Sequence, residues 1–123
     1  MANTDLTSDE SLMQRLGELE QETDAEFVLE LVDIFLSESP KLIEAIAASL
    51  HTQDYPNLKV SAHTLKGSSL NIGAKNLGTL CLGMEQLGRN AQPIPPGTST
   101  NDIEAEFTHL KEVLAGYKKS KGA

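Results

Sequence analysis

Apolar side chains return every three or four positions from Leu12 to Tyr117, and no stretch alternates in the two-residue rhythm of a strand. A chain patterned this way buries its apolar stripes only by laying helices against one another. Thr7 and Glu10 form a capping box ahead of Leu12, Met13, Leu16 and Leu19, which predicts a short helix over residues 8–20. Thr23 and Glu26 form a second box, opening a long helix over 24–51 with Phe27, Leu31, Ile34 and Phe35 on its core face. Val28, Val32 and Leu36 widen that stripe, and Pro40 should kink or briefly break the helix. Asp54 and Pro56 start a helix over 55–72, ended by Gly73. Another over 74–90 carries Leu77, Leu80, Cys81, Met84 and Leu87. The Pro-rich stretch 91–101 is a loop by composition, taken as a spacer. Asn101 with Glu104 caps a last helix over 102–118, with Ile103, Phe107, Leu110, Leu114 and Tyr117 along one side. The expected fold is all-α: an antiparallel four-helix bundle with an additional short N-terminal helix, as one domain over residues 1–123.

Charge narrows the function. A formal net charge of -8 argues against nucleic-acid binding, which depends on neutralising phosphates. The charge is uneven, however. Between Tyr55 and Met84 there is no Asp or Glu, while Lys59, Lys66 and Lys75 fall inside. An acid-free, locally basic segment in an acidic chain suits an anion or an acidic partner. Cys81 is the only cysteine, so no internal disulfide forms and a reducing compartment is expected. Residues 1–5 lack the basic start of a signal peptide, and no apolar run approaches the roughly 20 residues of a membrane span, so the expected location is cytoplasmic.

On the helix over 55–72, Leu58, Leu65 and Ile72 lie roughly 180–220° from His63 at about 100° per residue, so the histidine points away from the core. Lys59, Val60, Lys66, Gly67 and Leu70 fall within about 60° of it. An exposed imidazole is ordinarily half-protonated near about pH 6.5, so much of it keeps a free lone pair at neutral pH. Lys66 can offset the charge of a phosphoryl group at that nitrogen. Gly67 removes a side chain that would crowd the ring, at a mid-helix cost of about 1 kcal/mol relative to alanine. Val60 and Leu70 offer an apolar footing for a docking protein. Ser68 and Ser69 fit a close helix contact. His51, in the last turn of the long helix, and His109, beside the last core stripe, join no motif. No metal-ligand spacing is present, and none of these residues calls for a cofactor. Cys81 falls on an inward stripe and is expected to be an inert core thiol.

The run His63-Thr64-Leu65-Lys66-Gly67-Ser68-Ser69 resembles the signature of histidine-containing phosphotransfer (HPt) domains, a histidine followed by x-x-Lys-Gly and two small residues. The resemblance continues through Ile72-Gly73-Ala74, Leu77, Cys81, Met84-Glu85 and Gly88-Arg89, over roughly Asp54 to Asn90. It implies a phosphorelay intermediate of two-component signalling. His63 would accept a phosphoryl group from a receiver-domain aspartate and pass it to another, with Lys66 and Gly67 beside it. Arg89 matches a basic supporting position. Some members of the family have glutamine where this chain has Glu85, and Gln86, next in line, is the candidate for that contact here. The implied partners are receiver domains of response regulators or of a hybrid histidine kinase, met by a monomer without kinase activity of its own. Two other functions compete. The phosphoacceptor half of a histidine kinase carries an acidic residue directly after its histidine, where this chain has Thr64. A binding-only helical adaptor that has lost phosphotransfer would have no use for a nucleophile.

Overall fold

A computed structural model describes residues 6–123; Met1 to Asp5, expected to form no signal peptide, lie outside the described residues. Five helices follow in order: α1 (Ser8–Glu22), α2 (Ala25–Thr52), α3 (Tyr55–Asn71), α4 (Lys75–Asn90) and α5 (Asn101–Ser120). No strand occurs among the described residues. The tight connections after α2 and α3 force antiparallel neighbours, so α2 to α5 make the bundle and α1 packs across the end where α3 turns into α4. None of the described helices is long and apolar enough to cross a membrane.

The caps explain most boundaries. The Thr7–Glu10 box is closed in both directions, and the Asp54 carboxylate accepts from the Asn57 N–H ahead of Pro56. The second box does not form. Asp24 caps α2 through the Phe27 N–H, while the Thr23 hydroxyl turns back to the Leu19 carbonyl and closes α1. A carboxylate one residue nearer the helix takes the orphan donor first. At the start of α5, Thr100 is the capping residue and its hydroxyl meets the Glu104 carboxylate, whereas the Asn101 N–H is held by Ser99. Pro40 does not break α2, which stays helical through it. Only one helical N–H is lost there, and the ring lies on the exposed side.

The core stripe of α2 runs along Val28, Val32, Phe35, Ile43 and Ile46. Phe27 and Ile34, expected inside, are exposed, as is Met13 of α1. Seven-residue spacing put Phe27 and Ile34 on one face, but the bundle closes over the adjacent one. Leu58, Leu65 and Ile72 of α3 are buried as expected.

At the α3–α4 turn, Gly73 has φ +89, and a Cβ there would lie 2.7 Å from Arg15 Cβ. Helix α1 therefore sits directly on this turn. Arg15 donates to the Asn71 carbonyl at the end of α3, and Ser8 Oγ accepts the Asn76 N–H at the start of α4. On its other side α1 is tied to α5 by His109 on the Asp9 carboxylate, at 2.9 and 3.0 Å, and by Tyr117 on Glu20. The Asp9 hydrogen bond raises His109 above the usual imidazole range. A raised imidazole stabilises the docked state fully below about pH 6.5 and loses that contribution as pH rises through its folded value. Amide exchange at Leu12 and Leu16, corrected for intrinsic rate, should be faster at about pH 8.5 than at about pH 6. The H109Q variant should show no such difference.

Candidate functional site

Helices α3 and α4 form the tightest pair in the bundle, because small residues let their backbones approach. Ser61, Ala62 and Ser69 on α3 are buried, and so are Gly78 and Gly88 on α4. The Ser69 hydroxyl is satisfied by the Leu65 carbonyl, so this buried contact carries no orphan donor, while Ser68 is half-buried with its hydroxyl on Thr64. Along this seam a shallow cleft opens, lined by Lys59, Val60, His63, Thr64, Glu85 and Arg89.

His63 stands at the cleft with 64% of its side chain exposed, pointing outward as its helical position requires. Its Nδ1 lies 3.0 Å from Glu85 Oε2. Glu85 is 1% exposed, a buried carboxylate held by three basic side chains. Lys66 Nζ is 2.6 Å from Oε1, and the Arg89 guanidinium is 2.6 Å from Oε2, the oxygen His63 also uses. The Lys66 ammonium holds the carboxyl well below the ordinary range, at about 2, against the opposing effect of burial and with help from His63. A buried carboxylate without such partners would be costly.

An ionised Glu85 can only accept. The Nδ1 contact therefore requires Nδ1–H, and in the neutral ring Nε2 carries the lone pair on the exposed side. The arrangement can present one oriented, unprotonated nitrogen to an electrophile arriving from solvent, with Lys66 and Arg89 nearby to balance incoming negative charge.

Several sequence expectations find their places here. Lys66 and Arg89 reach the site through Glu85, and Lys59 lines the cleft. Gly67 is open: a Cβ there would meet nothing within 4 Å. Val60 and Leu70 are 58% and 50% exposed. Gln86 is misplaced by the sequence argument. It is exposed and takes no part in the hydrogen bonds of the site, because one residue along a helix turns a side chain by about 100° and away from α3. Glu85 occupies that place instead. Its signal was present in the sequence: it follows Cys81 by four residues and precedes Gly88 by three, a carboxylate on a buried stripe that cations elsewhere must offset.

The other singled-out groups lie apart. His109 pairs with Asp9, and His51 borders a cleft with Ile94 and Thr98 of the loop. Cys81 is fully buried, which pushes its thiol up to about 12.

A helical bundle that holds an exposed histidine against a carboxylate of the neighbouring helix is a histidine-presenting module. The sequence model of the Hpt domain matches residues 30–115, and the chain belongs to that family. It is 35% identical over 74 residues to histidine-containing phosphotransfer protein 2 of Arabidopsis thaliana, covering 58% of this chain and 47% of that protein. It is 27% identical over 109 residues to pseudo histidine-containing phosphotransfer protein 6 of the same plant, covering 86% and 70%. Against the first of these relatives the chain spans about half of the length, 47%. Among solved structures, histidine-containing phosphotransfer protein B (HptB) of Pseudomonas aeruginosa PAO1 superposes with a TM-score of 0.79 at 24% identity, over 87% of this chain and 92% of the other. That likeness supports the helical-bundle fold.

Proposed function

We propose that this chain is a phosphorelay intermediate: His63 accepts a phosphoryl group from the aspartyl phosphate of one receiver domain and returns it to the aspartate of another. The observation that carries this reading is the Glu85 contact at Nδ1, which leaves Nε2 as the exposed nucleophile. Nε2 forms the N–P bond with its lone pair as the acyl-phosphate O–P bond breaks, and the donor aspartate departs as a carboxylate. Lys66 and Arg89 balance the transferred charge. The chain works as a monomer, without ATP chemistry of its own.

For docking, the exposed Val60 and Leu70 are supplemented by a groove between α2 and α3, which is lined by Leu31, Ile34 and Ile72 and shares Thr64 with the histidine cleft. A partner reaching His63 can cover both. The open space at Gly67 belongs to that partner too. G67A should leave the free protein as stable or more stable by up to about 1 kcal/mol in urea denaturation, since helix propensity improves and nothing clashes. The same variant should slow phosphoryl transfer by about tenfold or more, because the methyl group stands where the donor must approach.

A binding-only role is the second reading, favoured by the pseudo histidine-containing relative, which matches more of the chain than the other plant protein described. Family membership therefore leaves transfer open, and the retained His63, Lys66 and Gly67 favour it. The two readings separate on incubation with a phosphorylated receiver domain, with ATP alone as the control. Acid-labile, base-stable phosphate on this chain from the receiver but not from ATP supports the relay. Stable binding with no phosphate from any of several receivers supports the adaptor.

A further inference from the structure

The three basic side chains around Glu85 raise a question that the transfer reaction alone does not answer. A carboxylate orients an imidazole well, but it also favours the imidazolium, whose nitrogens are both protonated and cannot attack. The stronger the Glu85–His63 contact, the more of the protein would be lost to that inactive form. We infer that Arg89, with Lys66, serves the unphosphorylated site by neutralising Glu85, so that the carboxylate orients the His63 ring without drawing a second proton onto it.

Three features support this. First, Arg89, at the rim of the cleft, lies 2.6 Å from Oε2, the oxygen that accepts from His63. One oxygen has two lone pairs, and the guanidinium and the ring share them. Second, Lys66 lies 2.6 Å from the other oxygen, so both ends of the carboxylate face a permanent cation. Third, among the described residues Glu85 is the one acid at the cleft: its other charged members are Lys59 from α3 and Arg89 from α4, with Lys66 of α3 behind them and nothing from α2. The permanent cations there outnumber the single carboxylate.

The two cations differ in setting. The Lys66 side chain is 21% exposed and Arg89 59%. Lys66 is thus the built-in counter-ion. Arg89 is the member that solvent and a partner can reach, and is a positioning residue acting through Glu85.

The inference deepens the phosphoacceptor reading, but its test needs no phosphate, so the two can fail separately. Ring 15N and 1H signals of His63 are followed from about pH 5 to about pH 9 in the unphosphorylated protein and in R89Q, E85Q, R89K and the E85Q/R89Q double variant. Removing Arg89 should move the His63 titration midpoint upward by about half a unit to one unit, a threefold to tenfold gain in proton affinity. R89K, which keeps the charge, should restore most of it. In the E85Q background the effect of removing Arg89 should shrink to a small fraction, because its target has gone. An unchanged midpoint in R89Q would overturn the inference. So would equal shifts in both backgrounds, which would mean that Arg89 acts on the ring by direct repulsion. Loss of receiver-dependent phosphorylation with the expected midpoints would instead count against the relay and leave the inference intact.

Discussion

His63→Gln is expected to abolish phosphoryl acceptance, by about three orders of magnitude or more, while leaving the fold in place. Among the described residues no other imidazole and no thiol lines the cleft. His51 and His109 lie elsewhere, the latter engaged with Asp9, and Cys81 is buried. The stability effect should be small, within about 1 kcal/mol, because the ring is 64% exposed and Glu85 keeps Lys66 and Arg89 as partners. Single-turnover transfer from a labelled receiver, paired with a urea melt of the same preparation, checks both halves. Transfer within tenfold of the unsubstituted protein would move the acceptor to another residue.

The second large effect is on stability, at Gly88. A Cβ there would lie 2.6 Å from the Lys59 nitrogen and 2.9 Å from both Lys59 Cα and the Tyr55 carbonyl oxygen. These are backbone atoms, so no rotamer change relieves the clash. The first turn of α3 is also fixed by the Asp54 cap, so the two helices must move apart. G88A should cost about 2–3 kcal/mol even though alanine is the better helix former, and G88V more. The thermal midpoint should fall by about 10 °C for a chain of this size. Helix separation here also stretches the His63–Glu85 contact, so transfer should drop under conditions where the variant remains folded. Unchanged stability in G88A would mean that the α3–α4 approach is looser than described. Gly67 lies on the same seam's outer edge, yet its substitution should stabilise the free protein, and the contrast separates packing glycines from access glycines.

Much of this was legible in the residues. The spacing of Leu58, Leu65 and Ile72 placed His63 on the outer face, and Lys66 and Gly67 at fixed offsets supplied the motif around it. Helix ends followed from cap residues to within a residue or two. The errors were of two kinds. Thr23 against Asp24 and Gln86 against Glu85 were choices between adjacent positions, and the stripe of α2 was drawn too wide, taking in Phe27 and Ile34 beside Val28 and Val32. Cap geometry decided the first, and packing in the assembled bundle decided the others.

The sequence by itself determined the helical class, the order of elements and the outward face carrying His63, because turn chemistry and a period near 3.6 are properties of neighbours along the chain. Only the tertiary structure decided that Glu85 and not Gln86 meets the imidazole, which nitrogen of the ring is free, and that Lys66 and Arg89 converge on one carboxylate. Those facts depend on the distance and rotation between α3 and α4. The approach of two backbones at Gly88 sets both, and periodicity within either helix contains neither.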